Sequence, residues 1–126
     1  SEESLHTPLK FAYWVPNVSG GLVTSTIEQR TDWGYDYNRK LAQIAENSGF
    51  EYALSQVRYM ASYGADHQHE STSFSLALLL ATERLKVIAA VHPGLWQPGV
   101  LAKWVATADH LSKGRIAVNV VSGWLK

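Results

Sequence analysis

Cysteine is absent from the sequence, which excludes disulfides, thiolate metal sites and a Cys nucleophile. A reducing, cytoplasmic setting is the expectation that goes with that absence. An excess charge of one sign is also lacking, since eleven Lys and Arg balance eleven Asp and Glu. Without a basic surplus there is no electrostatic footprint for general nucleic-acid binding and no polybasic patch for a membrane surface. Long apolar runs are missing too. The longest, Leu76 to Ala81, falls far short of the roughly 18 residues that span a bilayer. The opening Ser1-Glu2-Glu3-Ser4 is acidic, the opposite of a secretory leader. What is present is a hydrophobic share of 46% in 126 residues, with five Trp, six Tyr and three Phe. That is enough for one folded core, and the aromatics favour a pocket for a flat ligand.

A rhythm runs along the chain: a short apolar run, a polar loop, then a helical pattern. Lys10 to Val15 reads as a strand closed by Pro16, and residues 1–9 as an N-terminal extension. Asp36 to Ser48 carries Leu41, Ile44, Ala45 and Ser48 at helical spacing, ended by Asn47-Ser48-Gly49. Glu51 to Gln56 is the second strand. Ser71 is expected to cap a helix reaching Thr82, with Phe74, Ala77, Leu78 and Ala81 inside. Leu85 to Val91 is nearly all apolar, as in a strand covered on both faces. Pro98 suits the first turn of a helix whose inner stripe is Val100, Leu101, Trp104, Val105, Ala108 and Leu111, stopped by Lys113-Gly114. Arg115 to Val121 is the fourth strand.

The order βαβαβαβ predicts a parallel α/β sheet with right-handed crossovers. Two architectures fit. Four βα units make half of a (β/α)₈ TIM barrel, and residues 10–126 are read as that half. A complete flavodoxin-like domain is the other, and it requires the first strand in the interior of the sheet.

In either architecture ligands gather where strands meet the following loops. Arg58, just past the second strand, offers a cation for an anionic ligand or a developing oxyanion, and equally suits a surface ion pair. Asn119 is a polar residue within an apolar strand. A buried amide there needs a partner, either a heterocyclic ligand or the backbone. His92 at the third strand end can touch substrate, move a proton, or simply be a hydrogen-bonded structural histidine. His67, His69 and Glu70 lack a matching distant ligand, so no metal is expected. His110 reads as a helix-end or core histidine. No phosphate-cradling glycine motif and no nucleophile elbow is present.

Three stretches carry a resemblance: Phe11-Ala12-Tyr13-Trp14-Val15-Pro16-Asn17, Gly49-Phe50-Glu51-Tyr52-Ala53-Leu54-Ser55, and the run from Ser112-Lys113-Gly114-Arg115 through Asn119-Val120-Val121-Ser122-Gly123-Trp124. Together they resemble the bacterial luciferase-like flavin monooxygenases. Within that family the subgroup acting on dimethyl sulfone is nearest, with Tyr63-Gly64-Ala65-Asp66 and Gln68-His69-Glu70-Ser71 in step. The pyrimidine-opening and alkanesulfonate subgroups are more distant, and the Cys near the second strand end of the alkanesulfonate enzymes has no counterpart.

The resemblance implies a luciferase-like TIM barrel, of which this chain supplies the first four βα units. It implies that FMNH₂, delivered by a separate NAD(P)H-dependent FMN reductase, reacts with O₂. A small organosulfur compound, dimethyl sulfone, would then yield methanesulfinate and formaldehyde. Val57, Arg58 and Asn119 match flavin-contacting positions. Ala89-Ala90 aligns with a third-strand segment that holds a non-prolyl cis peptide under the flavin ring in luciferase. Trp14, Asn17, His92 and Trp124 become walls of the substrate pocket. A homo-oligomer is expected, and the rival reading is a non-catalytic half-barrel that self-associates through its open strand edges.

Overall fold

The computed structural model describes residues 9–16, 33–55 and 69–121. Strand β1 is Phe11–Trp14, helix α1 Tyr35–Asn47, strand β2 Phe50–Leu54 and helix α2 Ser71–Leu80. Strand β3 is Lys86–Val91, followed by a short 3₁₀ turn at Pro93–Leu95, helix α3 Pro98–Ser112 and strand β4 Ile116–Val120. The four strands form one parallel sheet in the order β1-β2-β3-β4. That sequential order decides between the two architectures. A flavodoxin-like sheet would put β1 between β2 and β3, whereas consecutive neighbours are the wall of a (β/α) barrel.

One face of the sheet carries the core. Val15, Ala53 and Val87 pack there with Ala42 of α1 and with Phe74, Leu78 and Leu79 of α2, joined at the margin by Tyr13 and Ile116. Strand side chains alternate, so Trp14, Leu54, Ile88 and Ala117 point the other way. The register places these four side by side across the sheet. In a (β/α) barrel wall this opposite face is the inner, concave one, and Ala117 and Asn119 are exposed on it.

Helix α1 turns a different face inward than its large apolar residues suggest. Asn38, Ala42 and Ala45 are buried, while Ile44 is 61% exposed and Ser48 is exposed. Small residues let the helix approach the strands closely, and Asn38 fixes the approach. Its Nδ2 donates to Pro16 O at 3.1 Å and to Gly34 O at 2.9 Å. Gly49, at φ 95°, makes the turn into β2 in the left-handed region that glycine accepts without strain.

Helix α2 starts one residue earlier in logic than expected. Glu70, not Ser71, is its N-cap, accepting from the backbone N–H of Thr72 at 2.7 Å and of Ser73 at 3.0 Å. Its buried residues include Ser71, Thr72 and Ser75 beside Phe74, Leu78 and Leu79. Helix α3 departs as well. Ala108 and Ser112 are buried, Leu101, Trp104 and Val105 are half-buried, and Val100 and Leu111 are exposed. His110 is exposed in its last turn rather than in the core.

Two carboxylates hold loops to helices. Glu46 of α1 accepts the backbone N–H groups of Glu83, Arg84 and Leu85 in the turn entering β3. Burial pushes the Glu46 carboxyl up, but those N–H groups and the Arg84 charge outweigh it and hold it below the ordinary 4.5. Glu70 is likewise raised by burial and lowered further by its bonds from Thr72 and Ser73. Both groups bind protons less readily folded than unfolded. Their stabilisation is therefore complete above about pH 4.5 and drains away as pH falls through the lower folded values. Urea titrations of the wild type and a Glu46→Gln, Glu70→Gln variant across pH 3–6 (roughly the carboxylate range) are expected to show a flatter acid limb in the variant. Parallel limbs would remove both carboxylates from the acid response.

Candidate functional site

The concave face at the C-terminal end of the strands brings several expected site residues into one neighbourhood. Ala90 of β3 and Asn119 of β4 are direct register partners. Trp14 lies on the same face two residues lower, level with Leu54, Ile88 and Ala117, and is 53% exposed. His92 follows β3 with extended dihedrals, φ −101° and ψ 111°, so alternation keeps it on the face of Ala90. Val57, Arg58, Asn17 and Trp124 lie outside the described residues.

Three expectations need correction. Asn119 is exposed, not buried, because it belongs to the face that no described helix covers. Its amide is thus open to a ligand rather than satisfied inside the core. Ala89 sits fully buried on the helix side with Val87, so of the alanine pair only Ala90 presents its methyl to the concave face. The peptide joining them is trans, as are all peptides among the described residues. Both polar groups of Ala90 are engaged by side chains without any backbone rearrangement.

Those side chains form a buried set that sequence reasoning missed. Ala90 N–H donates to Ser55 Oγ at 3.2 Å, and Ser75 Oγ donates to the same atom at 2.9 Å. Ser71 Oγ donates to Ala90 O at 2.6 Å. All three serines are at most 2% exposed. Strand β2 ends at Leu54, so it cannot pair with Ala90, and hydroxyls replace the missing ladder. The available signal was the spacing of Ser71 and Ser75, one helical turn apart on a helix whose second half is apolar, opposite a serine closing β2.

The nearby His69-Glu70 pair is structural. The His69 ring lies between Trp33 and Phe74, with centroids 4.5 Å from each, and stacks within 7° of Phe74. Its Nε2 is 3.0 Å from Trp33 O. Glu70 is committed to the α2 cap.

A flavin's flat, largely apolar ring with amide-like edges suits this surface. Exposed Ala117 offers a floor without bulk beside the nearly fully buried Ala90, half-buried Ile88 and Leu54 flank it, and the Asn119 amide can donate and accept at a ring edge. The described residues include nothing suited to its phosphate.

Residues 9–126 match the family described as luciferase-like monooxygenase. The chain is 72% identical over 119 residues to an FMNH₂-dependent dimethylsulfone monooxygenase of Pseudomonas putida, covering 94% of this chain and 33% of that protein. It is 31% identical over 117 residues to the pyrimidine monooxygenase RutA of a Bradyrhizobium strain, covering 90% of this chain and 32% of that one. Among solved structures it resembles the EDTA monooxygenase EmoA of Chelativorans, with a TM-score of 0.79 at 18% identity over 93% of this chain and 29% of that chain. The chain spans about a third of the length of the curated relatives it matches. The sheet is accordingly part of a luciferase-like TIM barrel.

Proposed function

The chain belongs to the luciferase-like monooxygenase family, and from that membership we propose that it supplies four βα units of an FMNH₂-dependent monooxygenase acting on dimethyl sulfone. The observation that carries the reading is the register pairing of Ala90 with Asn119 on the face of the sheet that the described helices leave uncovered, Asn119 exposed there and Ala90 nearly fully buried. The named activity of the Pseudomonas putida relative supports the substrate, and the lower similarity to the pyrimidine enzyme ranks that alternative behind it.

Bound reduced FMN supplies the electrons with which dioxygen is activated for oxygen transfer. This chain's residues bind and orient. Ala90 gives the ring a flat seat, with Ala89 behind it keeping the strand packed on α2. Asn119 holds a ring edge by hydrogen bonds, and Val57 and Arg58 contribute to the same cofactor, the guanidinium offsetting its negative charge. Trp14, Asn17, His92 and Trp124 wall the substrate side and exclude water. A separate NAD(P)H-dependent FMN reductase delivers the reduced cofactor. Ile44 and Leu80, 61% and 60% exposed on the helix layer, favour a homo-oligomer.

The test is turnover by the full-length protein supplied with FMN, a reductase, NADH and dimethyl sulfone. Methanesulfinate and formaldehyde are expected in equal amounts, and Arg58→Ala is expected to cut turnover at least about tenfold, the equivalent of one good charged contact. Turnover of uracil with none of the sulfone would replace this reading with the pyrimidine one.

A further inference from the structure

The residue just beyond β3 is in an unusual state. Both ring nitrogens of His92 are withdrawn from solvent, and among the described residues neither has a hydrogen-bond partner. Buried polar atoms in folded proteins are overwhelmingly paired, because leaving one unmade costs about 1–3 kcal/mol. An imidazole with two idle nitrogens is therefore a site waiting for a group from elsewhere. Its position says where that group sits. Val121 N–H donates to Val91 O at 2.8 Å, so β3 and β4 remain paired up to the residue before His92. His92 thus follows Ala90 by two residues, on the same face by alternation, next to the strand that carries Asn119.

The ring is also held in place. A Cβ built on Gly94 would come within 3.2 Å of His92 Cε1, so the 3₁₀ turn at Pro93–Leu95 lies against the imidazole. A side chain at Gly94 would crowd the ring, which would have to give by a few tenths of an ångström. A fixed imidazole costs little further entropy when it makes a hydrogen bond.

We infer that His92 is a substrate-binding residue whose ring N–H donates to an oxygen of the oxidised sulfur group. The inference rests on the sulfone reading above and adds the atom that recognises it. A sulfone presents two acceptor oxygens and no donor. An imidazole carries at least one N–H in either of its charge states, so it matches such a group at any pH. Asn119, two register positions lower on β4, adds amide donors on the same face.

The experiment uses the full-length protein with His92→Ala and His92→Gln, reading KM and kcat for dimethyl sulfone and the melting temperature of each. His92→Ala is expected to raise KM about tenfold, the worth of one hydrogen bond, with a much smaller change in kcat. The melting temperature is expected to hold or rise, since an unpartnered buried group has been removed. Gln, which keeps an N–H donor, is expected to recover part of the loss. In the wild type, the ring nitrogen resonances of His92 are expected to move when dimethyl sulfone is added without flavin turnover. An unchanged KM in His92→Ala, or still resonances, overturns the assignment while leaving the proposed function intact. A wild type that turns over no sulfone overturns both.

Discussion

Replacing Arg115 with Ala is expected to lower the unfolding free energy of the full-length protein by about 3 kcal/mol, and Arg115→Lys to recover less than half of it. The guanidinium makes five hydrogen bonds, one for each of its N–H groups. Nε donates to Ser112 O at 2.8 Å, Nη1 to Leu85 O at 2.9 Å and Thr82 Oγ1 at 3.1 Å. Nη2 donates to Leu79 O at 2.8 Å and Thr82 O at 3.0 Å. Four of the five acceptors are backbone carbonyls, from the ends of α2 and α3 and the entry to β3. Helix ends leave such carbonyls without partners, and a cation suits the negative pole of a helix dipole. One side chain thus closes two helices onto the sheet at once. Lysine keeps the charge but has three donors on a flexible stem, so it cannot satisfy a planar set of five. The full sum of five charged bonds is not expected, because the group is half-buried and water can replace some of them. A urea midpoint unchanged in Arg115→Ala would show that solvent serves the carbonyls equally well.

Arg115 also explains a division within the sequence. Ser112-Lys113-Gly114-Arg115 is one of the stretches that carries the family resemblance, yet it sits at the end of the strands away from Ala90 and Asn119. Its work is closure. Lys113 takes the left-handed conformation at φ 56°, and Gly114 follows at φ 83°, its N–H donating to Asp109 O at 2.8 Å. This reversal aims Arg115 back at α2. In a barrel wall, residues at this end of the strands serve stability, while loops at the opposite end are where ligands bind.

Element order was legible because each strand is a short apolar run and each helix a periodic pattern, separated by Pro, Gly and polar loops. Strand bounds fell within a residue or two for β1, β3 and β4. Inward faces were less legible. On α1 the expected stripe held at Ala45 and in part at half-buried Leu41, but Ile44 and Ser48 are exposed, since close packing on strands favours Asn38, Ala42 and Ala45. On α3, Val100 and Leu111 are apolar but exposed, for no described element covers them. At the site, the strand-end rule singled out Ala90, Asn119 and His92, of which the structure places the first two as register partners at the ends of β3 and β4, with His92 just beyond β3. It could not find Ser55, Ser71 or Ser75, because a serine signals burial only when its partner is known. Nor could it choose Glu70 over Ser71 as a cap, since serine is the commoner capping residue.

Those serines make the second large effect. Ser55→Ala is expected to cost the full-length protein about 2–4 kcal/mol, because it strands two buried donors, Ala90 N–H and Ser75 Oγ–H, at about 1–3 kcal/mol each. Adding Ser75→Ala to that variant is expected to restore part of the loss, since the second donor disappears with its partner. This sign is the test of the network. Two unconnected serines would give additive losses, whereas a shared hydroxyl gives a double variant more stable than the Ser55→Ala single. A thermodynamic cycle over the two singles and the double reads the difference directly. The same substitution also bears on the site. With Ser55 gone, only Ser71 Oγ, at 2.6 Å from Ala90 O, still anchors the end of β3 on that side. The seat beside Asn119 loses its fixed position, and FMN affinity is expected to fall in Ser55→Ala even at temperatures where the protein stays folded. Equal FMN affinity in folded wild type and variant would mean that the hydroxyls stabilise the sheet without positioning Ala90.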